Sequence, residues 1–183
     1  MAGIFSEILG VLFLHWMTRT FILHLESSRL FIYEAYPPYS LISSLSLDLP
    51  NYHYFKGEVD YGPGFELKGF SYGSGKILNI QKIEKFSVVA YFKGYKKRDR
   101  DESFTNKSIK EERAFNKRMY EKYPIQIAIL DSMGNLLNDF VPEGLIASSM
   151  LLRNGELWMQ EKPDEEIERD YFRLFRIGLR LGD

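Results

Sequence analysis

Residues 145–161, LIASSMLLRNGELWMQE, decide the fold that we expect for this chain. Two apolar runs flank the dipeptide Asn154-Gly155. This dipeptide is a strong local signal for a β-hairpin, because a type I′ turn requires positive φ at both central residues. With that turn, the paired residues are Arg153 with Glu156, Leu152 with Leu157, Leu151 with Trp158, and Met150 with Met159.

Both faces of this hairpin are apolar, since directly opposed residues share a face of the sheet. Leucine and methionine pairs occupy one face, and Leu151 and Trp158 occupy the other. Residues 171–179 form an expected third strand with aromatic and aliphatic side chains on both sides. A sheet that is apolar on both sides must be covered on both sides. Stacked small antiparallel sheets, such as propeller blades, meet this requirement.

Similar units precede this hairpin. Residues 21–35 predict a hairpin around Ser27-Ser28, and residues 41–49 predict a further strand. Residues 65–95 predict three strands with a turn at Gly73-Ser74-Gly75, and residues 125–141 predict a hairpin with a turn at 131–135. Ser28 and Ser74 are 46 positions apart, and a period of roughly 40–50 residues is typical of propeller blades.

The expected fold class is therefore all-β, with antiparallel β-meander sheets in a β-propeller-like arrangement. About three blade units fit the chain, whereas closed propellers have about 4–8 blades. The propeller is then incomplete, or the sheets form another kind of β-meander.

One short helical insertion is expected near residues 105–122. Ser108 and Glu111 have the spacing of a capping box, which starts a helix. Phe115, Met119 and Tyr123 form its apolar side, and Pro124 ends it. The charged residues 96–101 before it are expected to be a solvated loop.

Two segments make up the predicted domain organisation: an apolar N-terminal segment, 1–20, and a single β-propeller-like domain, 21–183. The apolar run at 8–17 is too short for a transmembrane span. It also lacks a basic n-region and a small-residue cleavage site. We interpret it as a buried strand or docking helix; the alternatives are a degenerate export segment or a start inside a longer reading frame.

Composition excludes several classes of function. The net charge is −1, and 24 Lys and Arg residues are scattered among 25 Asp and Glu residues. No strong field therefore attracts nucleic acid. The absence of cysteine excludes disulfides, thiolate nucleophiles and cysteine-based zinc sites. The three histidines have no metal-ligand spacing, and no cofactor, metal or catalytic residue is predicted.

The candidate ligand-binding residues are aromatic and acidic. Glu58 and Asp60 could act as paired carboxylates in glycoside chemistry, and Tyr52, Tyr54 and Trp158 could stack on a sugar in the same cleft. Gly73-Ser74-Gly75-Lys76 lacks the spacing of a phosphate-binding loop.

The chain resembles a known family at residues 125–137, 155–159 and 171–179, which read IQIAILDSMGNLL, GELWM and YFRLFRIGL. These segments are similar to the C-terminal part of six-bladed β-propeller lipoproteins of unknown function from Bacteroidota. The resemblance covers residues 65–183 and, more weakly, 20–50. It implies a location in the cell envelope or periplasm, although no signal peptide or lipobox cysteine is present in this sequence. It supplies no catalytic residues.

These features predict a non-catalytic binding or scaffold protein whose propeller loop surfaces hold a protein or a glycan. The alternatives are a carbohydrate-active enzyme with carboxylates on its loops, and an assembly subunit completed by a partner chain. In the latter, exposed sheet edges would join copies into a homo-oligomer.

Overall fold

The computed structural model describes residues 5–8, 11–16, 19–24, 28–54, 73–164 and 171–179, the first three ranges as backbone alone. The strands are β1 (Phe5–Ile8), β2 (Val11–Trp16), β3 (Arg19–His24), β4 (Arg29–Glu34), β5 (Leu41–Ser46), β6 (Lys76–Ile83), β7 (Phe86–Phe92), β8 (Gln126–Leu130), β9 (Leu136–Phe140), β10 (Leu145–Arg153), β11 (Glu156–Glu161) and β12 (Leu174–Ile177). Two helices, α1 (Lys97–Ser103) and α2 (Ile109–Lys122), lie between β7 and β8.

These strands form three antiparallel sheets, each built from consecutive strands. The first sheet has the order β1-β2-β3-β4-β5, the second β6-β7-β8-β9 and the third β10-β11-β12. All neighbouring strands pair antiparallel. The expected all-β meander architecture is confirmed. Among the described strands, none closes a sheet on itself.

The β10–β11 hairpin has the predicted turn. Asn154 and Gly155 have φ values of 53° and 78°, as a type I′ turn requires. The predicted pairs of Arg153, Leu152 and Leu151 with their partners are present. The predicted pair of Met150 with Met159 is absent from the ladder, because the register shifts between Ile146 and Leu151.

A β-bulge causes this shift, and polar side chains replace the lost ladder bonds. The Ser149 hydroxyl donates to the carbonyl of Ile146 at 2.7 Å and accepts the amide of Gln160 at 2.8 Å. From β6, Asn79 Nδ2 donates to the carbonyl oxygens of Ser148 (2.9 Å) and Met150 (2.8 Å). Side chains of the second and third sheets therefore provide hydrogen bonds to the backbone groups at the bulge, as buried backbone groups require.

The second sheet is covered on both faces. One face contributes Val89, Tyr91 and Ala128 to a core shared with Leu30 and Leu47 of the first-sheet segment. The opposite face contributes side chains to a second core, which it shares with the third sheet: Val88, Ala90, Ile127, Ala147, Met150, Leu157 and Met159. The side chains alternate between faces along each strand, so one apolar sheet supplies two cores.

Strands β1 and β2 lie within the predicted apolar N-terminal segment, 1–20. Both belong to the first sheet, since β2 pairs with β3 over six residue pairs. The predicted hairpin in 21–35 is confirmed as β3 paired with β4, and Ser28 in its turn has a φ of 48°.

The β6–β7 hairpin turns at Glu84, which has a φ of 51°. We expected Gly73-Ser74-Gly75 to separate two strands, but residues 55–72, which include the first of them, lie outside the described part. Gly75 contacts the segment that follows the first sheet, because its N–H donates to the His53 carbonyl at 2.6 Å. Gly94 has a φ of 84°, and a Cβ there would lie 2.2 Å from the same oxygen.

The helical insertion contains two helices, where one was expected. α2 has the predicted capping box at Ser108 and Glu111, and Phe115, Met119 and Tyr123 are buried. The prediction of a solvated loop at 96–101 was wrong, because α1 forms there. The reason is tertiary: Asp99 is buried against Lys122 and Tyr123 of the second helical segment.

Candidate binding cleft

An apolar cleft opens where one end of the second sheet meets the third. Its volume is about 330 Å³, at the lower end of the range for small-ligand pockets, roughly 300–1,000 Å³. Its lining comes from the end of α2, the segment that leads into β8, the first residues of β10, and the segments that follow β9 and β11: Tyr120, Pro124, Ile125, Val141, Pro142, Leu145, Ile146, Ala147, Lys162 and Pro163.

Local chemistry places these segments at the same end of the sheets. Pro124 follows the end of α2, and Pro142 follows β9, because proline continues neither a helix nor a ladder. Gly144 turns the backbone into β10 with a φ of 68°. Its carbonyl accepts the N–H of Lys162 at 2.8 Å, so the loops after β9 and β11 are joined.

Lys162 and Tyr120 form the polar rim of the cleft. The Lys162 ammonium lies 4.8 Å from the centroid of the Tyr120 ring, within the range of a cation–π contact. The other eight lining residues have no polar side-chain atoms. The cleft can therefore exclude water from an apolar group and offer positive charge at its edge.

The helical insertion fixes the position of Tyr120. Lys122 Nζ donates to Asp99 Oδ2 at 2.7 Å, and the Tyr123 hydroxyl donates to the same oxygen. These two bonds, from Lys122 first and then from Tyr123, lower the pKa of Asp99. The ionised carboxylate thus holds the last turn of α2, which carries Tyr120.

The structure brings two of the predicted ligand residues together. The rings of Tyr52 and Tyr54 lie 6.0 Å apart, and Tyr52 also lies 6.2 Å from Tyr91. Tyr52 packs against the core between the first and second sheets. Burial, with a smaller effect of Asp139, raises the pKa of Tyr91 to about 12, so its phenol stays protonated. This cluster joins two sheets.

Trp158 lies elsewhere. Its neighbours Leu157 and Met159 point into the core shared with the second sheet, so Trp158 points away from that sheet. Trp158 therefore lies on the outer face of the third sheet, whereas Tyr52 packs against the core between the first and second sheets. Glu58 and Asp60 lie outside the described residues. Their role in binding or glycoside chemistry, and that of Tyr52, Tyr54 and Trp158, stays a prediction.

Sequence reasoning missed the cleft, although three prolines offered a signal. Pro124, Pro142 and Pro163 each lie at the boundary of a helix or strand, and such boundaries collect at the ends of sheets. The sequence does not show which of these ends meet, because that depends on the sheet stacking.

The described residues contain no group of three or more histidine and acidic side chains placed to hold a metal ion. None of the helices in the described ranges is both long and apolar enough to cross a membrane. Comparisons with models of protein families, with curated proteins and with solved structures gave no match.

Proposed function

We propose that this protein is a non-catalytic binding module whose cleft holds a segment of a partner protein. The cleft between the second and third sheets carries this proposal. It combines an apolar lining with one cationic rim, and its core-facing side is continuous with a buried cluster that includes Ala147. A cleft on rigid sheets can bind without large rearrangement, which lowers the entropic cost of association.

The lining favours a protein segment over a glycan. Sugars present many hydroxyl groups that need hydrogen-bond partners, whereas eight of the ten lining residues have no polar side-chain atom. An apolar group of a peptide leaves no such atom unpaired. The glycan-binding alternative would draw on the aromatic residues predicted from sequence, which lie outside this cleft.

We propose a propeller-like arrangement for the three sheets. Two features support it: each sheet is a meander of consecutive strands, and the second sheet packs a core on each face. In such a stack, loops collect at the ends of the sheets, where propellers bind their partners. The resemblance to Bacteroidota lipoproteins and their envelope location stay predictions.

A binding screen with a matched variant tests the function. The full-length protein is screened against random short peptides and against a glycan array, in parallel with Val141→Trp. Val141 lines the cleft and is 42% exposed, so tryptophan can fill the cleft without entering the core. We expect peptide binders that the variant loses. Binders found only on the glycan array, or peptide binders that the variant keeps, would contradict the assignment.

A second function, self-assembly, is favoured by the outer face of the third sheet. Leu151 and Leu174 share this face with Trp158, and they are 44% and 48% exposed. Since the second sheet is covered on both faces, a second copy of the protein could cover the third sheet in the same way. Sedimentation of wild type and of the double variant Leu151→Lys/Leu174→Lys tests this; a wild-type monomer at all concentrations would refute it.

A further inference from the structure

We propose that the cleft recognises the C-terminal residue of a partner protein, an apolar residue that carries a free carboxylate, with Lys162 as the counter-charge. This inference rests on the proposed function and names the part of the partner that binds. It follows from the charge, the size and the polarity of the cleft.

The lining of the cleft carries a positive charge and no negative charge. Lys162 is its charged lining residue, and none of the other nine lining residues is acidic. Among the described ion pairs, none uses Lys162. Its ammonium is held over the Tyr120 ring, which leaves its N–H groups available at the rim. Complementary charge guides and selects partners, so an anion at the rim is favoured and an amine is disfavoured.

The size of the cleft suits one or two residues. A volume of about 330 Å³ corresponds to roughly ten water molecules of about 30 Å³ each.

The last residue of a polypeptide places both required groups together. Its apolar group can occupy the space against Ile125 and Leu145, which pack on the core between the sheets, while its carboxylate stays at the rim. Within a polypeptide, the only carboxylates are those of Asp and Glu side chains. An internal residue with a carboxylate therefore has no apolar side chain, and a second residue must supply the apolar group. Capture of a C-terminal carboxylate is a recurring mode of peptide recognition.

Two compounds of nearly equal shape test whether a carboxylate on the ligand strengthens binding. N-acetylleucine has a free carboxylate and N-acetylleucinamide does not; each has about 12 non-hydrogen atoms, so we expect millimolar binding. Both are titrated into the ¹⁵N-labelled full-length protein by NMR. We expect shifts at Ile146, Ala147 and Lys162, and a Kd about two- to fivefold lower for the acid, as for an exposed ion pair.

Matched variants locate the effect. Lys162→Gln should remove the preference for the acid and leave binding of the amide unchanged. The control is Lys85→Gln, since the Lys85 ammonium also lies over an aromatic ring, that of Phe86 at 5.3 Å. The strand pairing places Lys85 at the opposite end of the second sheet from the cleft, so the preference should persist. Val141→Trp should weaken both compounds.

The outcomes separate this inference from the proposed function. Equal affinity for acid and amide, with shifts in the cleft, would overturn the role of the carboxylate and leave a peptide-binding cleft. Shifts outside the cleft would overturn the inference as well, while peptides from the screen would still test the function. Tighter binding of 4-methylpentanoate, which lacks the acetamido group, would show that the cleft selects a free small acid and would also refute the C-terminal assignment.

Discussion

Replacing Asn79 with leucine should destabilise the protein strongly, because the Asn79 amide joins the second and third sheets. Nδ2 of Asn79 donates to the carbonyls of Ser148 and Met150, and Oδ1 accepts from Gln81 Nε2 at 2.9 Å. Leucine has the same number of non-hydrogen side-chain atoms and the same branching, but it keeps none of these three bonds. Met150 retains a longer bond of 3.2 Å from Gln81, whereas none of the described side chains replaces the donor to Ser148.

The magnitude follows from the bonds lost. A net loss of about 0.5–1.5 kcal/mol for each of the three hydrogen bonds, together with about 1–3 kcal/mol for the carbonyl left unpaired, predicts a loss of about 2.5–7.5 kcal/mol. With a urea m-value of about 2–3 kcal/mol/M, the midpoint should fall by about 1–3 M. Urea unfolding followed by circular dichroism measures this shift.

A matched control uses the exposed Asn138 on β9. Asn138→Leu should change the free energy of unfolding by about 0.5 kcal/mol or less. Equal effects of the two substitutions would refute the reasoning, since the bulge would then be stable without the amide. Asn79→Asp should be worse than leucine at neutral pH, because it sets a carboxylate against two carbonyl oxygens.

Five further substitutions test the packing, the turns and the buried carboxylate by the same unfolding assay. Leu157→Ala should lower the free energy of unfolding by about 3 kcal/mol because Leu157 is 1% exposed. Trp158→Ala should lower it by about 2 kcal/mol or less because Trp158 is half-buried. A larger loss for Trp158→Ala than for Leu157→Ala would place Trp158 in the core. Gly94→Ala should lower the free energy of unfolding by more than roughly 3 kcal/mol, since its Cβ would meet the His53 carbonyl. Gly155 has a φ of 78° and no atom near its Cβ position, so Gly155→Ala should lower it by about 1–2 kcal/mol. Equal losses would argue against the close approach of Gly94 and His53. Asp99→Asn should lower the urea midpoint at pH 7, and the difference from wild type should disappear as the pH falls below the native pKa of Asp99, which is lowered from 3.8; a difference independent of pH would contradict the ion pair.

The local elements were largely predictable. The turn at Asn154-Gly155, the capping box at Ser108 and the turn at 131–135 all form where the sequence indicates them. In that last turn, the Asp131 carboxylate accepts the backbone amides of Met133 and Asn135. Each depends on atoms within four residues of one another, so their stability is encoded locally.

The errors have a common cause. The residues next to 97–103 in the sequence do not explain why this charged segment forms a helix. Asp99 is held there by hydrogen bonds from Lys122 and Tyr123, which lie more than twenty positions later. The bulge in β10 depends in the same way on Asn79 of β6. Long-range polar contacts of this kind leave no periodic pattern.

The sequence by itself determined the antiparallel meander, its main turns and the two apolar faces that require neighbours. The tertiary structure alone decided which faces meet, and therefore that Tyr120, Pro142 and Lys162 surround one cleft while Trp158 lies on another surface. The physical reason is the range of the interactions. Turn and capping bonds form within a few residues, whereas a cleft exists only after separate sheets bury their apolar faces against each other.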